Sequence, residues 1–314
     1  MPEGFTGRDV SSERLGGAGA GAFAREAGHG AGVAFRDADI FYRADRLGEP
    51  VVQCRGGFEA IMFRTRIKGE IVAEFLPPAG ARKQHGVIIL CDGMPSIPRK
   101  QALLEFLAGK GFWVVYPRYR GAWESGGQFL ERSPHEDILD VVDELPRGLV
   151  ELAFGRRFSL PPAQIFVIGG SFGGAAAILA SLDRRVNKVV ANCPVTDWAI
   201  LGGSEKVETS AENYAGYIRE AFGSGYRLSD ANWEKLRSGS FYSPWHRRKE
   251  VTPAKVMIFH ARDDPHVPYE SSVRFAEETG VGLKSVRRGG HLRTEFVVRR
   301  YWEGIKKFLD STGG

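Results

Sequence analysis

Apolar positions along the chain follow two periods that alternate. Val87-Ile88-Ile89-Leu90-Cys91 and residues 112–116 are continuous apolar runs, the pattern of strands buried on both faces. Similar runs at 164–168, 187–193, 255–260 and 283–286 predict four more strands. Between the runs the period becomes helical. Leu103, Leu104 and Leu107 form one stripe, ended by Gly111; Ile138, Leu139, Val141, Val142 and Leu145 form another. Ser133 and Glu136 stand at capping-box spacing with Pro134 between them, which predicts the start of that second helix. Residues 171–182 and 270–279 predict further helices, and Val297, Tyr301, Ile305 and Phe308 share one face of a final helix. Strands joined through helices predict an α/β fold, a mostly parallel sheet with helices on both faces. In front of it, residues 58–66 and 70–76 around Lys68-Gly69 predict an antiparallel hairpin.

Two stretches break the alternation. Residues 198 to about 250 carry no strand pattern but two helical ones. Tyr214, Tyr217, Ile218 and Ala221 share a face of the first, and Ser229 caps the second, which holds Trp233 and Leu236. This aromatic-rich stretch is expected to form a helical cap over the ligand-binding edge of the sheet. Residues 1–34 are rich in Gly and Ala and are expected to be a flexible arm, which leaves 35–314 as one domain. A hydrophobic content of 43% with 11% aromatics supplies a large core and excludes disorder over most of the chain. No apolar run approaches the roughly 18 residues of a membrane span. The net charge of +5 is spread along the chain, so no nucleic-acid partner is expected. Three scattered cysteines show neither a disulfide framework nor metal spacing, so no metal or other cofactor is expected. The first thirty residues lack a basic start and an apolar stretch, and a cytoplasmic protein is expected.

The chemistry concentrates where strands end. Gly169-Gly170-Ser171-Phe172-Gly173 fits G-x-S-x-G, with an apolar strand running in and a helix running out. Such a turn lifts the Ser171 hydroxyl beside a helix N-terminus, where developing negative charge is favoured. A serine needs a base. Of seven histidines, His291 is best placed, after the last strand and before the final helix. The base needs an acid: Asp264 follows the penultimate strand, and the order Ser, Asp, His suits it. Asp263 and Asp197 are the competing carboxylates. Two backbone N–H groups are expected to hold an oxyanion, those of Phe172 and of Met94, where Gly93 lets the loop turn inward. Arg118 and Arg120 follow a strand's C-terminal end, where open α/β sheets bind ligands. They are substrate-binding candidates, with the cap aromatics Trp198, Tyr217 and Trp233.

These motifs resemble those of the α/β-hydrolases, nearest the prolyl oligopeptidase and dienelactone-hydrolase-like branches, over residues 58 to 311. Residues 260–268 resemble the family's H-G-x-x-D-x-x-V-P acid loop, with Ala261 where glycine is usual. Asp92-Gly93-Met94-Pro95 resembles its H-G-x-P loop, with Asp92 where histidine is common. The resemblance implies the α/β-hydrolase fold and a serine hydrolase that cleaves an ester or amide, including a peptide, through an acyl-enzyme. The expected partner is a small-molecule or short-peptide substrate, and a homo-oligomer is compatible with the sequence. The same parts would serve an acyltransferase or cyclase with a non-water acceptor, and a non-catalytic ligand-binding protein is the remaining alternative.

Overall fold

Runs of Ile, Val and Phe without a polar face are stable only when covered on both sides, and that requirement sets the architecture. The computed structural model describes residues 40–44, 50–54, 62–79, 85–160, 164–201 and 211–311; the expected arm at 1–34 lies outside them. Strands β1 (Ile40–Ala44) and β2 (Pro50–Cys54) pair antiparallel as a separate ribbon. Next come β3 (Phe63–Ile67), β4 (Ile71–Leu76), β5 (Gly86–Cys91), α1 (Gln101–Gly109), β6 (Phe112–Pro117) and α2 (Pro134–Glu144). A short pair, β7 (Leu149–Val150) with β8 (Arg157–Phe158), precedes β9 (Ile165–Gly170), α3 (Phe172–Ala180) and β10 (Val186–Asn192). The helices α4 (Trp198–Leu201), α5 (Ala211–Phe222) and α6 (Asp230–Arg237) follow, then β11 (Val256–Ala261), α7 (Tyr269–Thr279), β12 (Gly282–Val286), α8 (Thr294–Arg300) and α9 (Trp302–Asp310).

The main sheet has eight strands in the order β12-β11-β10-β9-β5-β6-β4-β3. It is parallel from β12 to β6 and antiparallel at β4 and β3. The β3–β4 hairpin turns at Lys68 and Gly69, both at positive φ (50° and 75°), as a two-residue hairpin turn requires. Side chains of the central strands feed two cores by turns. On β5, Val87 and Ile89 pack into the layer with α2 and α3, while Ile88 and Leu90 pack into the layer with α1 and α9. Each such fully buried side chain contributes about 1.5–3 kcal/mol.

The elements differ from expectation in three places. The final helix is two, α8 and α9, broken at Tyr301; Trp302, Ile305 and Leu309 form the buried face of α9, because the break rotates the stripe. On α5 the face is Ala215 and Ile218 with Tyr214 and Phe222 at its edges, whereas Ala221 and Tyr217 are exposed. The capping box at α2 does not close. The Ser133 hydroxyl pairs with His135 Nδ1 and the Glu136 carboxylate with Arg132, so only the backbone N–H of Glu136 reaches the Ser133 carbonyl. Ser229 does cap α6, accepting the Asn232 N–H at 3.2 Å.

Candidate active site

Every parallel strand ends at the same edge, so the loops after β5, β9, β10, β11 and β12 converge there. Ser171 links β9 to α3 in a strained conformation, φ 55° and ψ −120°. Neighbouring glycines allow it. A Cβ on Gly169 would sit 2.1 Å from the Gly173 carbonyl oxygen, and one on Gly173 would sit 2.4 Å from the carbonyl oxygens of Cys91 and Asp92. The Ser171 N–H donates to the Asn192 carbonyl at 2.8 Å. Phe172 is the first residue of α3, so its N–H has no intrahelical acceptor.

His291 and Asp264 meet at this edge. Their Nδ1 and Oδ2 atoms lie 2.8 Å apart, so Nδ1 carries the proton and Nε2 is left as the basic nitrogen. Asp264 Oδ1 accepts the N–H groups of His266 and Val267 at 2.9 and 3.1 Å. A second imidazole, His260, is fully buried with Nε2 3.3 Å from Asp264 Oδ2 and 3.1 Å from the Val267 carbonyl; its Nδ1 lies 2.8 Å from the Ser272 hydroxyl. Burial opposes the charge of Asp264, but hydrogen bonds from His260 and His291, with the Val267 N–H, outweigh it and hold the carboxyl well below the usual carboxylate range. The competing carboxylates are engaged elsewhere. Asp263 Oδ1 accepts the N–H groups of Gly289 and Gly290, both at 2.9 Å, and so fastens the loop that carries His291. Asp197 accepts the Ala199 N–H at the start of α4.

Ser171 and His291 share no hydrogen bond among the described residues; catalytic hydrogen bonds often tighten only when substrate is bound. Their loops are nonetheless in direct contact. Asn192 Nδ2 donates to the Leu292 carbonyl, and a Cβ on Gly170 would fall 2.2 Å from Thr294 Oγ1.

The loop after β5 passes over the serine: a Cβ on Gly93 would lie 3.6 Å from Ser171 Cβ. Asp92 anchors this loop. Its Oδ1 accepts the Gly93 N–H at 3.0 Å and pairs with Lys100 at 3.2 Å, and its Oδ2 accepts the hydroxyls of Ser96, at 2.6 Å, and Tyr116. Burial, then the Asp92 charge, pushes the Tyr116 phenol far above its ordinary range, so it stays a donor.

The arginine candidates sit differently from the expectation of a pocket mouth. Arg118 is 4% exposed, pairs with Glu74 at 2.8 Å and stacks on Tyr116. Arg120 is held by Glu70, Asp137 and Asp140. Both guanidinium groups brace their own loop. Trp198 packs 5.9 Å from the Phe172 ring, ring centre to ring centre, and its buried indole N–H has no partner among the described residues. Trp233 is 7% exposed within the core, and Tyr217 is 47% exposed. Cys193, His260 and Asp264 place three potential metal-ligand atoms within 4.8 Å. Burial first pushes the Cys193 thiol up to about 12, which keeps it protonated beside Asp264.

The sequence pointed to Ser171, His291 and Asp264 but not to His260, Asp263 or Asn192 as their supports. Asn192 had a signal, a polar residue ending an apolar strand; the other two are distinguishable only by which atoms they face.

A sequence profile of the prolyl oligopeptidase family matches residues 99–285. No curated protein matches the chain in sequence. Among solved structures, an acylaminoacyl peptidase from Pyrococcus horikoshii is 18% identical with a TM-score of 0.56, over 81% of this chain and 42% of that one. The chain thus spans about two-fifths of the peptidase's length. The Pyrococcus furiosus esterase Pf2001 superposes with a TM-score of 0.57 at 18% identity, over 80% of this chain and 90% of the esterase. Est1E from Butyrivibrio proteoclasticus, solved with ferulic acid bound, gives 0.55 at 18% identity, over 79% of this chain and 99% of Est1E. These likenesses show the α/β-hydrolase fold. Among the described residues no helix is long and apolar enough to cross a membrane.

Proposed function

The chain belongs to the prolyl oligopeptidase family, and from that premise we propose that it is a serine hydrolase that cleaves an ester or amide bond through an acyl-enzyme, with Ser171 as nucleophile, His291 as base and Asp264 as the acid that orients it. The observation that carries the assignment is the 2.8 Å contact of Asp264 with His291 Nδ1, on the loop that touches the Ser171 turn. It leaves His291 Nε2 unprotonated and able to take the serine proton.

In the proposed reaction Ser171 Oγ attacks the substrate carbonyl carbon while its proton moves to His291 Nε2. The carbonyl oxygen becomes an oxyanion and takes hydrogen bonds from the N–H groups of Phe172 and Met94. Collapse breaks the bond to the alcohol or amine, which leaves with the proton from His291. Water then donates a proton to His291 Nε2, attacks the acyl carbon and releases Ser171 and a carboxylic acid. Asp264 stays ionised throughout and stabilises the imidazolium. The helices at 198–250 act as a cap, with Trp198 beside the acyl group. Arg118 and Arg120 have no part in substrate recognition, because carboxylates of this chain hold them.

The test uses short-chain p-nitrophenyl esters, aminoacyl anilides and a fluorophosphonate label. Ser171→Ala should abolish labelling and lower kcat by roughly 10⁴-fold or more, with unchanged circular dichroism. Turnover retained by Ser171→Ala would reject the assignment.

A further inference from the structure

The peptide unit that carries the Met94 N–H lies between two that are fastened. In the Asp92–Gly93 unit the carbonyl accepts the Tyr119 hydroxyl at 3.2 Å, and the Gly93 N–H donates to the Asp92 carboxylate at 3.0 Å. In the Met94–Pro95 unit the carbonyl accepts the Tyr214 hydroxyl at 3.0 Å. One residue further on, the Ser96 N–H donates to the Tyr226 hydroxyl at 3.0 Å and the Ser96 carbonyl accepts the Trp123 indole N–H at 3.0 Å. Among the described residues no acceptor takes the Met94 N–H. One N–H without an acceptor, in a loop pinned on each side of it and running so close to the serine that a Cβ on Gly93 would lie 3.6 Å from Ser171 Cβ, is a preorganised donor.

The pins come from different parts of the chain. Asp92 belongs to the β5 loop itself, Tyr116 to β6 and Tyr119 to the loop after β6. Tyr214 lies on α5 and Tyr226 just beyond it, both in the helical segment between β10 and β11. Tyr226 is 5% exposed and packs edge-on against Phe129 and Phe222. The helical segment therefore does more than cover the sheet edge, because its hydroxyls hold the backbone of the loop beneath it.

We propose that Tyr214 and Tyr226 are positioning residues that fix the Met94 N–H for the oxyanion, so that the oxyanion site is complete only while the helical segment is docked on the β5 loop. The proposal rests on the serine-hydrolase assignment above. Neither hydroxyl touches the reacting atoms; each acts through the loop. Removing one leaves a loop carbonyl or N–H to find another partner and frees the peptide plane between them. The effect falls on the transition state, where the oxyanion exists, and not on the ground-state complex.

The test compares Tyr214→Phe, Tyr226→Phe and the double variant with wild type on p-nitrophenyl butyrate, with Tyr301→Phe as control. The double variant should lose roughly ten- to fiftyfold in kcat, short of the 10²–10³ lost when a donor itself is removed, with KM within about twofold. Affinity for an alkylboronic acid, whose serine adduct places an oxygen in the oxyanion site, should fall in parallel, while affinity for butyrate stays unchanged. A double variant with wild-type kcat and boronate affinity overturns the proposal, as does a loss carried by KM alone. If the double variant does not fold, Tyr226→Phe alone decides, judged by the same split. Ser171→Ala run beside them separates the two failures: a dead Ser171→Ala with fully active phenylalanine variants removes only this proposal, whereas an active Ser171→Ala removes the assignment beneath it.

Discussion

Asn192 donates from Nδ2 to the Leu292 carbonyl at 2.5 Å, and its own carbonyl accepts the Ser171 N–H at 2.8 Å. One residue at the end of β10 thus sets the distance between the serine turn and the loop of His291. Asn192→Ala removes the side-chain half of this link and leaves a buried carbonyl unpaired, which costs about 1–3 kcal/mol of stability. Activity should fall further than that loss explains, since a misplacement of about 1 Å at the reacting groups costs on the order of 10²-fold. Steady-state kinetics below the unfolding transition, beside urea denaturation, check this. A destabilised variant with normal kcat/KM would reduce Asn192 to a packing role.

The three carboxylates near the base should separate by role. Asp264→Asn loses the acceptor that fixes the His291 tautomer and should lower kcat by roughly 10⁴-fold. Asp263→Asn keeps an oxygen that can accept the Gly289 and Gly290 N–H groups, so roughly tenfold or less is expected, within the range of a single weakened hydrogen bond. Asp197→Asn should be nearly silent, because Asp197 bonds the turn into α4. His260→Phe leaves Asp264 with fewer donors, so activity should lie between those of the Asp264 and Asp263 variants. If Asp197→Asn proves the crippling change, the acid lies after β10 and not after β11.

The central strands were legible because their apolar runs leave no alternative, and β5, β6, β9 and β10 form within two residues of their expected bounds. The Ser171 turn was legible because Gly169 and Gly173 bracket a contact that no side chain survives. The split between α8 and α9 was not, because Val297, Tyr301 and Ile305 satisfy a helical period whether or not the axis bends. The arginines after β6 illustrate the deeper limit. Sequence places Arg118 and Arg120 at a strand end, but only the fold brings Glu70, Glu74 and Asp137 to them from three other elements. The tyrosines that hold the β5 loop were hidden for the same reason, since more than a hundred residues separate Tyr214 from Met94.

Acid should weaken the fold through His135. Burial pushes its imidazole down to about 4, and the Ser133 hydroxyl lies 2.8 Å from Nδ1. The unfolded chain binds that proton near pH 6.5, so the folded state's advantage is complete above 6.5 and is lost as pH falls toward 4. By pH 5 the loss should reach roughly 2 kcal/mol from this group. Asp137 works in the opposite sense: burial raises it to about 6 despite Arg120, so its contribution falls as pH rises through that range. Comparing wild type with His135→Gln cancels the Asp137 effect. From pH 7.5 to pH 5 the urea unfolding free energy of wild type should fall by roughly 2 kcal/mol relative to that of His135→Gln, and an equal change in both chains would exclude His135 as the source.

Two tryptophans of the helical segment should behave differently. Trp198 is half-buried, stacks on Tyr242 and faces the ring of Phe172, the residue after Ser171. Trp233 is 7% exposed and sits in the core beside Tyr214. Shortening Trp198 to Leu opens space beside the acyl site, so the ratio of kcat/KM for octanoate and acetate esters should shift by roughly tenfold toward the longer chain, the value of about one or two methylenes in an apolar pocket. Trp233→Leu removes core volume, and its stability should fall by roughly 2–3 kcal/mol, below the 3–5 of a full truncation to Ala. Its ester ratio should stay within about twofold of wild type, because a core cavity away from the site leaves the transition-state difference between the two esters intact. Thermal unfolding and the two-ester ratio, measured on both variants, separate the roles. A Trp198→Leu that loses stability with an unchanged ratio would place Trp198 in the core, and with it would go the proposal that this segment shapes the acyl site.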